Sequence, residues 1–201
     1  YDVGVLTYQY PSNKLSPSAN TTPQLAERVQ AVVFNPTWTV PQSIVQGEGL
    51  GAKLLAHPDK GYKVTTSADG TVNIVQLPGP KNSLGMMKID MPNPHAIYLH
   101  DTPQRGAFGR SDRSLSHGCI RVEKHFELAL ALLQDQGWDA KRLDATYATP
   151  KTRRVSLSQP VPIFLDYLTA FVDDEGRLNL RDDLYGHDLD GTLLFTRKGL
   201  P

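Results

Sequence analysis

The apolar positions change period several times along the chain, and the changes divide it into elements. RVQAVVF (28–34) and TWTV (37–40) are β-branched and aromatic runs separated by Asn35-Pro36. Proline removes a ladder donor and biases the preceding residue towards extended geometry, so the stretch predicts strand, kink, strand. Pro41 suits the first turn of a helix. Ile44, Val45, Leu50, Leu54 and Leu55 offer it an apolar face, and Gly47, Gly49 and Gly51 weaken it, predicting a short, broken helix. YKVTT (62–66) and TVNIVQL (71–77) flank the turn SADG (67–70), and PGPKNSLG (78–85) is again turn-rich, so 59–85 reads as an excursion on a β scaffold. AIYLH (96–100) is a strand ending at His100, followed by the polar loop DTPQRGAFGRSDRSL (101–115). Phe126, Ala129, Leu130 and Leu133 recur at i, i+3, i+4 and i+7, an amphipathic helix that Gly137 can close, and Asp139 can cap a second helix through about Tyr147. VPIFLDYLTAFVD (161–173), DEG (174–176) and RLNLRDD (177–183) read as a hairpin with glycine at its turn.

The first thirty residues contain YPSNKLSPSANTTP (10–23), rich in Pro, Ser, Asn and Thr, and are expected to be irregular; 31–201 then forms one domain. No internal repeat is visible. The sum is mixed α+β, mostly strand.

At 201 residues and 39% hydrophobic content the chain can bury a core without staples. Lys plus Arg and Asp plus Glu are equal at 21 each, so no net field gathers nucleic acid or anionic lipid around it. The longest apolar run, LALALL (128–133), is far short of the roughly 20 residues that cross a bilayer. The chain opens at Tyr1 rather than Met, as expected of a mature or excised piece of a longer protein.

One cysteine, Cys119, follows a His-Gly pair in SLSHGCIRV (114–122). Three roles are open to it: a small buried hydrophobe, a metal ligand or a nucleophile. Gly118 lets the backbone turn sharply and lets a substrate carbonyl approach the N–H groups of Gly118 and Cys119, natural oxyanion-hole donors worth roughly 2.7–4 kcal/mol each. A thiol of ordinary acidity is only a few per cent thiolate at neutral pH and needs a base. His100, held at a strand end, and His117, two residues from the sulfur on the same face of an extended segment, are the candidates. His57 and His187 lie in polar turns, and His95 and His125 have weaker context. Between 99 and 124 five basic residues, Arg105, Arg110, Arg113, Arg121 and Lys124, face three acids, Asp101, Asp112 and Glu123. That excess suits either a solvated loop or a pocket for a carboxylate-bearing substrate. A zinc site would draw on His95, His100, His117 and Cys119, but the spacing H-x4-H-x16-H-x-C matches no standard zinc motif and no CxxC exists. No metal or cofactor is expected.

His100, fifteen intervening residues, and then SHGCIR (116–121) resemble the signature of L,D-transpeptidase catalytic domains, the YkuD-like family. The likeness extends to FNPTWTVP, PGPKNSLGMMK and IYLHDTP, spans about 34–133, and is closest to the large Gram-negative members. The resemblance implies a β-rich, partly open sandwich or barrel with a few peripheral helices and a capping segment at about 47–80. It implies that Cys119 is the nucleophile and His100 the general base, oriented by a backbone carbonyl at or next to Asp101. His117 and Ser116 would line the site, the amides of His117, Gly118 and Cys119 would form the oxyanion hole, and Arg121 would brace the loop or bind a substrate carboxylate. The implied reaction is attack on the diamino acid carbonyl of a peptidoglycan tetrapeptide stem, release of D-alanine, and a thioester resolved by an amine to a 3→3 cross-link. An amine on an acceptor protein is a further resolving group, and carbapenems also acylate the family. The implied compartment is the periplasm. An L,D-carboxypeptidase or amidase, in which water resolves the thioester, and a catalytically silent peptidoglycan-binding module remain as alternatives.

Overall fold

Side-chain alternation builds the main sheet, with one break in β1, where the register against β8 shifts between Val29 and Ala31. The computed structural model describes residues 22–109, 118–173, 175–183, 185, 186 and 188. Strands β1 (Leu25–Phe34), β5 (Met87–Asp90), β6 (Leu99–His100), β7 (Ile120–Arg121) and β8 (Arg153–Leu165) form one sheet in the order β7-β6-β5-β1-β8. The pairs are antiparallel except β6 with β7, which is parallel. The sheet stays open, with β7 and β8 at its edges. The register aligns Val155, Val32, Ile89, Leu99 and Ile120 in one row across all five strands. That row faces helices α3 (His125–Leu133) and α4 (Ala140–Tyr147) in the main core, with Phe34, Met87, Ala129, Leu133, Trp138 and Leu143. Phe34 stacks on Trp138 at 5.3 Å and meets Tyr147 edge-on at 5.4 Å, contacts worth about 0.5–1.5 kcal/mol each beyond area burial.

A second, smaller sheet has the order β2-β4-β3, from β2 (Trp38–Thr39), β3 (Tyr62–Thr66) and β4 (Val72–Gln76). With α1 (Gln42–Gly47) and α2 (Leu50–Ala56) it encloses a separate apolar cluster of Val40, Ile44, Val45, Leu54 and Ile74. Buried polar side chains tie this unit to the main sheet. Asn82, 1% exposed, donates to the carbonyls of Pro36 and Leu77 and accepts from the Leu84 N–H. Strands β9 (Ala170–Val172) and β10 (Leu178–Leu180) complete the elements as a hairpin whose turn holds Gly176 at φ +77°.

Mostly sheet, few helices and no closed barrel among the described residues is the expected mixed α+β class. The broken helix is there, split at Gly49 with φ +61°, and Asp139 caps α4 by accepting the Arg142 N–H at 2.8 Å. Five details differ. β1 begins at Leu25, so strand replaces irregular chain for the last part of 1–30. Asn35 is left-handed, with φ +45°, rather than extended; its buried amide donates to the carbonyls of Thr146 and Thr149, which offsets the strain. Pro41 caps α1 from outside, with ψ 142°, instead of entering its first turn. Leu55 is 56% exposed, off the helix face that carries Leu54. VPIFL belongs to the long strand β8, not to the hairpin, because its residues pair with β1.

Candidate active site

One residue out of phase with the apolar row, a second row crosses the same strands: Arg154, Val33, Lys88, His100 and Arg121. Period-2 alternation puts it on the opposite face of the sheet from α3 and α4. Tyr98 and Cys119 precede His100 and Arg121 by two and so lie on that face too. The parallel pairing is drawn by Ile120 N–H donating to Tyr98 O at 3.1 Å and Val122 N–H donating to His100 O at 2.8 Å. Tertiary structure thus brings together residues 98 to 100 and 119 to 121 across the loop that separates them.

His100 is 5% exposed and its Nδ1 meets the Asp101 carbonyl oxygen at 2.5 Å. A carbonyl only accepts, so Nδ1 carries the hydrogen and Nε2 keeps the lone pair. Burial lowers the ring's pKa to about 4, with Arg121 and Lys88 adding to the shift and Asp101 opposing it. Cys119 is partly buried, and desolvation raises its thiol pKa. Tyr98, through its backbone and its phenol, and the charge of Lys88 act in the other direction by favouring the thiolate. At neutral pH the two shifts leave Cys119 as a thiol and His100 as a neutral imidazole.

Gly118 adopts φ +109°, a region closed to side chains, and its carbonyl accepts from Thr22 Oγ1 at 2.8 Å. Thr22 N–H in turn donates to Tyr185 Oη at 3.2 Å, and Tyr185 stacks on Tyr167 at 4.7 Å. Arg121 Nη1 donates to Gln104 Oε1 at 3.0 Å, bridging the loop after Asp101. Ser116 and His117 lie outside the described residues.

Sequence reasoning missed Tyr98, Lys88, Trp38 and Thr22. Lys88 is directly opposite His100, with its Nζ 4.3 Å from the Tyr98 ring centroid. Burial and the neighbouring sulfur raise the Tyr98 pKa, and Trp38, from the small sheet, acts in the other direction. The spacing Tyr98 to His100 was a usable signal, since i and i+2 share a strand face; the β5 register was not readable. Among the described residues no group of three or more His, Cys, Asp or Glu side chains could hold a metal ion, and no helix is long and apolar enough to cross a membrane.

Comparison with known proteins adds two findings. The model of the YkuD family, described as the L,D-transpeptidase catalytic domain, matches residues 2–154, reaching both before and beyond the 34–133 expected from motifs. A protein of Haemophilus influenzae named "Putative L,D-transpeptidase" is 34% identical over 190 residues, covering 85% of this chain and 38% of that protein. The chain thus spans well under half of the length of this relative.

Proposed function

This chain belongs to the YkuD family of L,D-transpeptidase catalytic domains, and on that footing we propose that it is a cysteine-dependent L,D-transpeptidase acting on peptidoglycan tetrapeptide stems in the periplasm. The observation that supports the reading is that Cys119, immediately before β7, falls by alternation on the same face as His100 of the paired strand β6, with His100 Nδ1 engaged by a carbonyl and Nε2 left as the basic nitrogen.

In the proposed cycle His100 Nε2 takes the Cys119 proton as Sγ attacks the carbonyl carbon of the third-position diamino acid. Charge moves to the carbonyl oxygen, where the amides of Gly118 and Cys119, with that of His117, would stabilise it. The C–N bond to D-alanine then breaks, the leaving amine takes the proton from His100, and a thioester remains. The side-chain amine of a second stem attacks the thioester, gives its proton to His100, and regenerates the thiol with a 3→3 cross-link. Arg121 and Ser116 would hold the stem. Tyr98, through its backbone and its phenol, offsets part of the burial that disfavours the thiolate.

The test is incubation with purified disaccharide-tetrapeptide beside a Cys119→Ala control, read by mass spectrometry. Dimers lacking one D-alanine are expected. Tripeptide monomers alone would make the protein an L,D-carboxypeptidase. Unchanged substrate together with a Cys119 that resists alkylation would leave a peptidoglycan-binding module.

A further inference from the structure

Behind His100, the Arg105 side chain and three segments distant in sequence close around one carboxylate. Asp101 is 2% exposed. Its Oδ2 accepts the Met86 N–H at 2.8 Å, and its Oδ1 accepts from Arg105 Nη2 at 2.5 Å. The same Nη2 reaches His125 Nδ1 at 2.8 Å, and that nitrogen stands 3.4 Å from Asp101 Oδ1. Arginine only donates, so His125 Nδ1 accepts and carries no hydrogen while the contact holds. Arg105 Nη1 also donates to the Glu123 carbonyl at 2.9 Å, and Tyr147 packs edge-on to the His125 ring at 5.8 Å. Gly85, at φ +60°, makes room for the arrangement: a Cβ there would collide with the Asp101 carboxylate.

A carboxylate this deeply enclosed is costly unless paired, and a neutral side chain could fill the same space. The carbonyl of the same residue holds the His100 ring. Asp101 N–H donates to Met87 O at 2.8 Å, so backbone and side chain together clamp the peptide against which the imidazole rests. We propose that Asp101, Arg105 and His125 form a positioning cluster for His100: the carboxylate and guanidinium lock the peptide that orients the ring, and the balance of their charges sets how readily the ring accepts the thiol proton. The inference rests on the reading of His100 as the base for Cys119.

The cluster predicts opposite effects from removing opposite charges. The Asp101 charge favours a protonated His100, whereas Lys88 and Arg121 disfavour it. Arg105 neutralises Asp101, and His125 faces Asp101, Arg105 and Glu127. The experiment measures the rate of Cys119 alkylation by iodoacetamide against pH in the parent, Asp101→Asn, Arg105→Met, Arg105→Lys and the double variant Asp101→Asn/Arg105→Met. The acid-side midpoint should fall in Asp101→Asn and rise in Arg105→Met, each by on the order of one pH unit. It should stay near the parent value in Arg105→Lys and return towards it in the double variant. Midpoints that stay at the parent value while thermal stability drops would reduce the cluster to a structural brace and overturn the proposal. Arg105 is nearly half exposed, so its variants carry the test if Asp101→Asn fails to fold. Turnover of tetrapeptide by the parent is measured separately; its absence counts against the proposed activity and leaves the alkylation profiles readable.

Discussion

Two rows of side chains cross the main sheet one residue apart, and they live by different rules. The row Val155, Val32, Ile89, Leu99 and Ile120 is apolar and packs under α3 and α4, whereas Arg154, Val33, Lys88, His100 and Arg121 point the other way. The first row stabilises through transfer from water and close packing. The second sacrifices some of that: it holds three cations and a buried imidazole on a face where Cys119 also lies. Burial there is spent on acid–base character, since it is what pushes His100 down to about 4. The lesson is that one strand set can supply scaffold and chemistry with no extra element, because alternation keeps the two apart.

Substitutions sharpen the contrast. Cys119→Ala, on the chemical face, should lower acyl transfer by roughly 10³-fold or more while the melting temperature moves little, as kinetics and calorimetry on the same sample will show. Phe34→Ala should do the reverse. Phe34 is fully buried against Trp138 and Tyr147, so urea denaturation should report a loss of about 3–5 kcal/mol, with Cys119 labelled at the parent rate in the folded fraction.

Acid should probe the second row through His100. Its folded pKa, about 4, lies below the ordinary 6.5, so between these values the unfolded chain binds a proton that the folded one refuses. This contribution to stability is fully present above pH 6.5 and is lost as pH falls through 4, a decline of about 3 kcal/mol that denaturation curves should lack in His100→Gln. Gly85→Ala should cost about 1–3 kcal/mol for its left-handed backbone and displace the Asp101 carboxylate, visible as a melting shift together with slower alkylation. Asp139→Ala lies far from both rows and removes only the α4 cap; about 1 kcal/mol less stability with unchanged labelling kinetics is the expected result.

How much of this was legible in the sequence follows from how local each signal is. Cys119, His100 and Gly118 announce themselves within one short motif and one spacer. The α3 periodicity and the Asp139 cap are likewise written in neighbouring residues. Lys88 became a site residue only through the β5–β6 register, and Trp38 only through the docking of the small sheet. His125 looked unremarkable because its partners, Asp101 and Arg105, are some twenty residues away. The misreading of VPIFL has a physical cause as well: its partner is β1, far away in the sequence, and β8 is an edge strand, where Pro160 and Pro162 are tolerated. Ser116 and His117 lie outside the described residues, so their expected place beside the thiol rests on the motif.

The one-residue offset between the rows also governs which changes of length the chain can survive. Deleting a residue within Met87–Asp90 would turn Lys88 into the core and Met87 out towards Cys119, and the sheet offers no register halfway between. Insertions and deletions are therefore better accommodated in a segment with a separate core, such as 47–80, while the strands that carry Lys88 and His100 keep a fixed count.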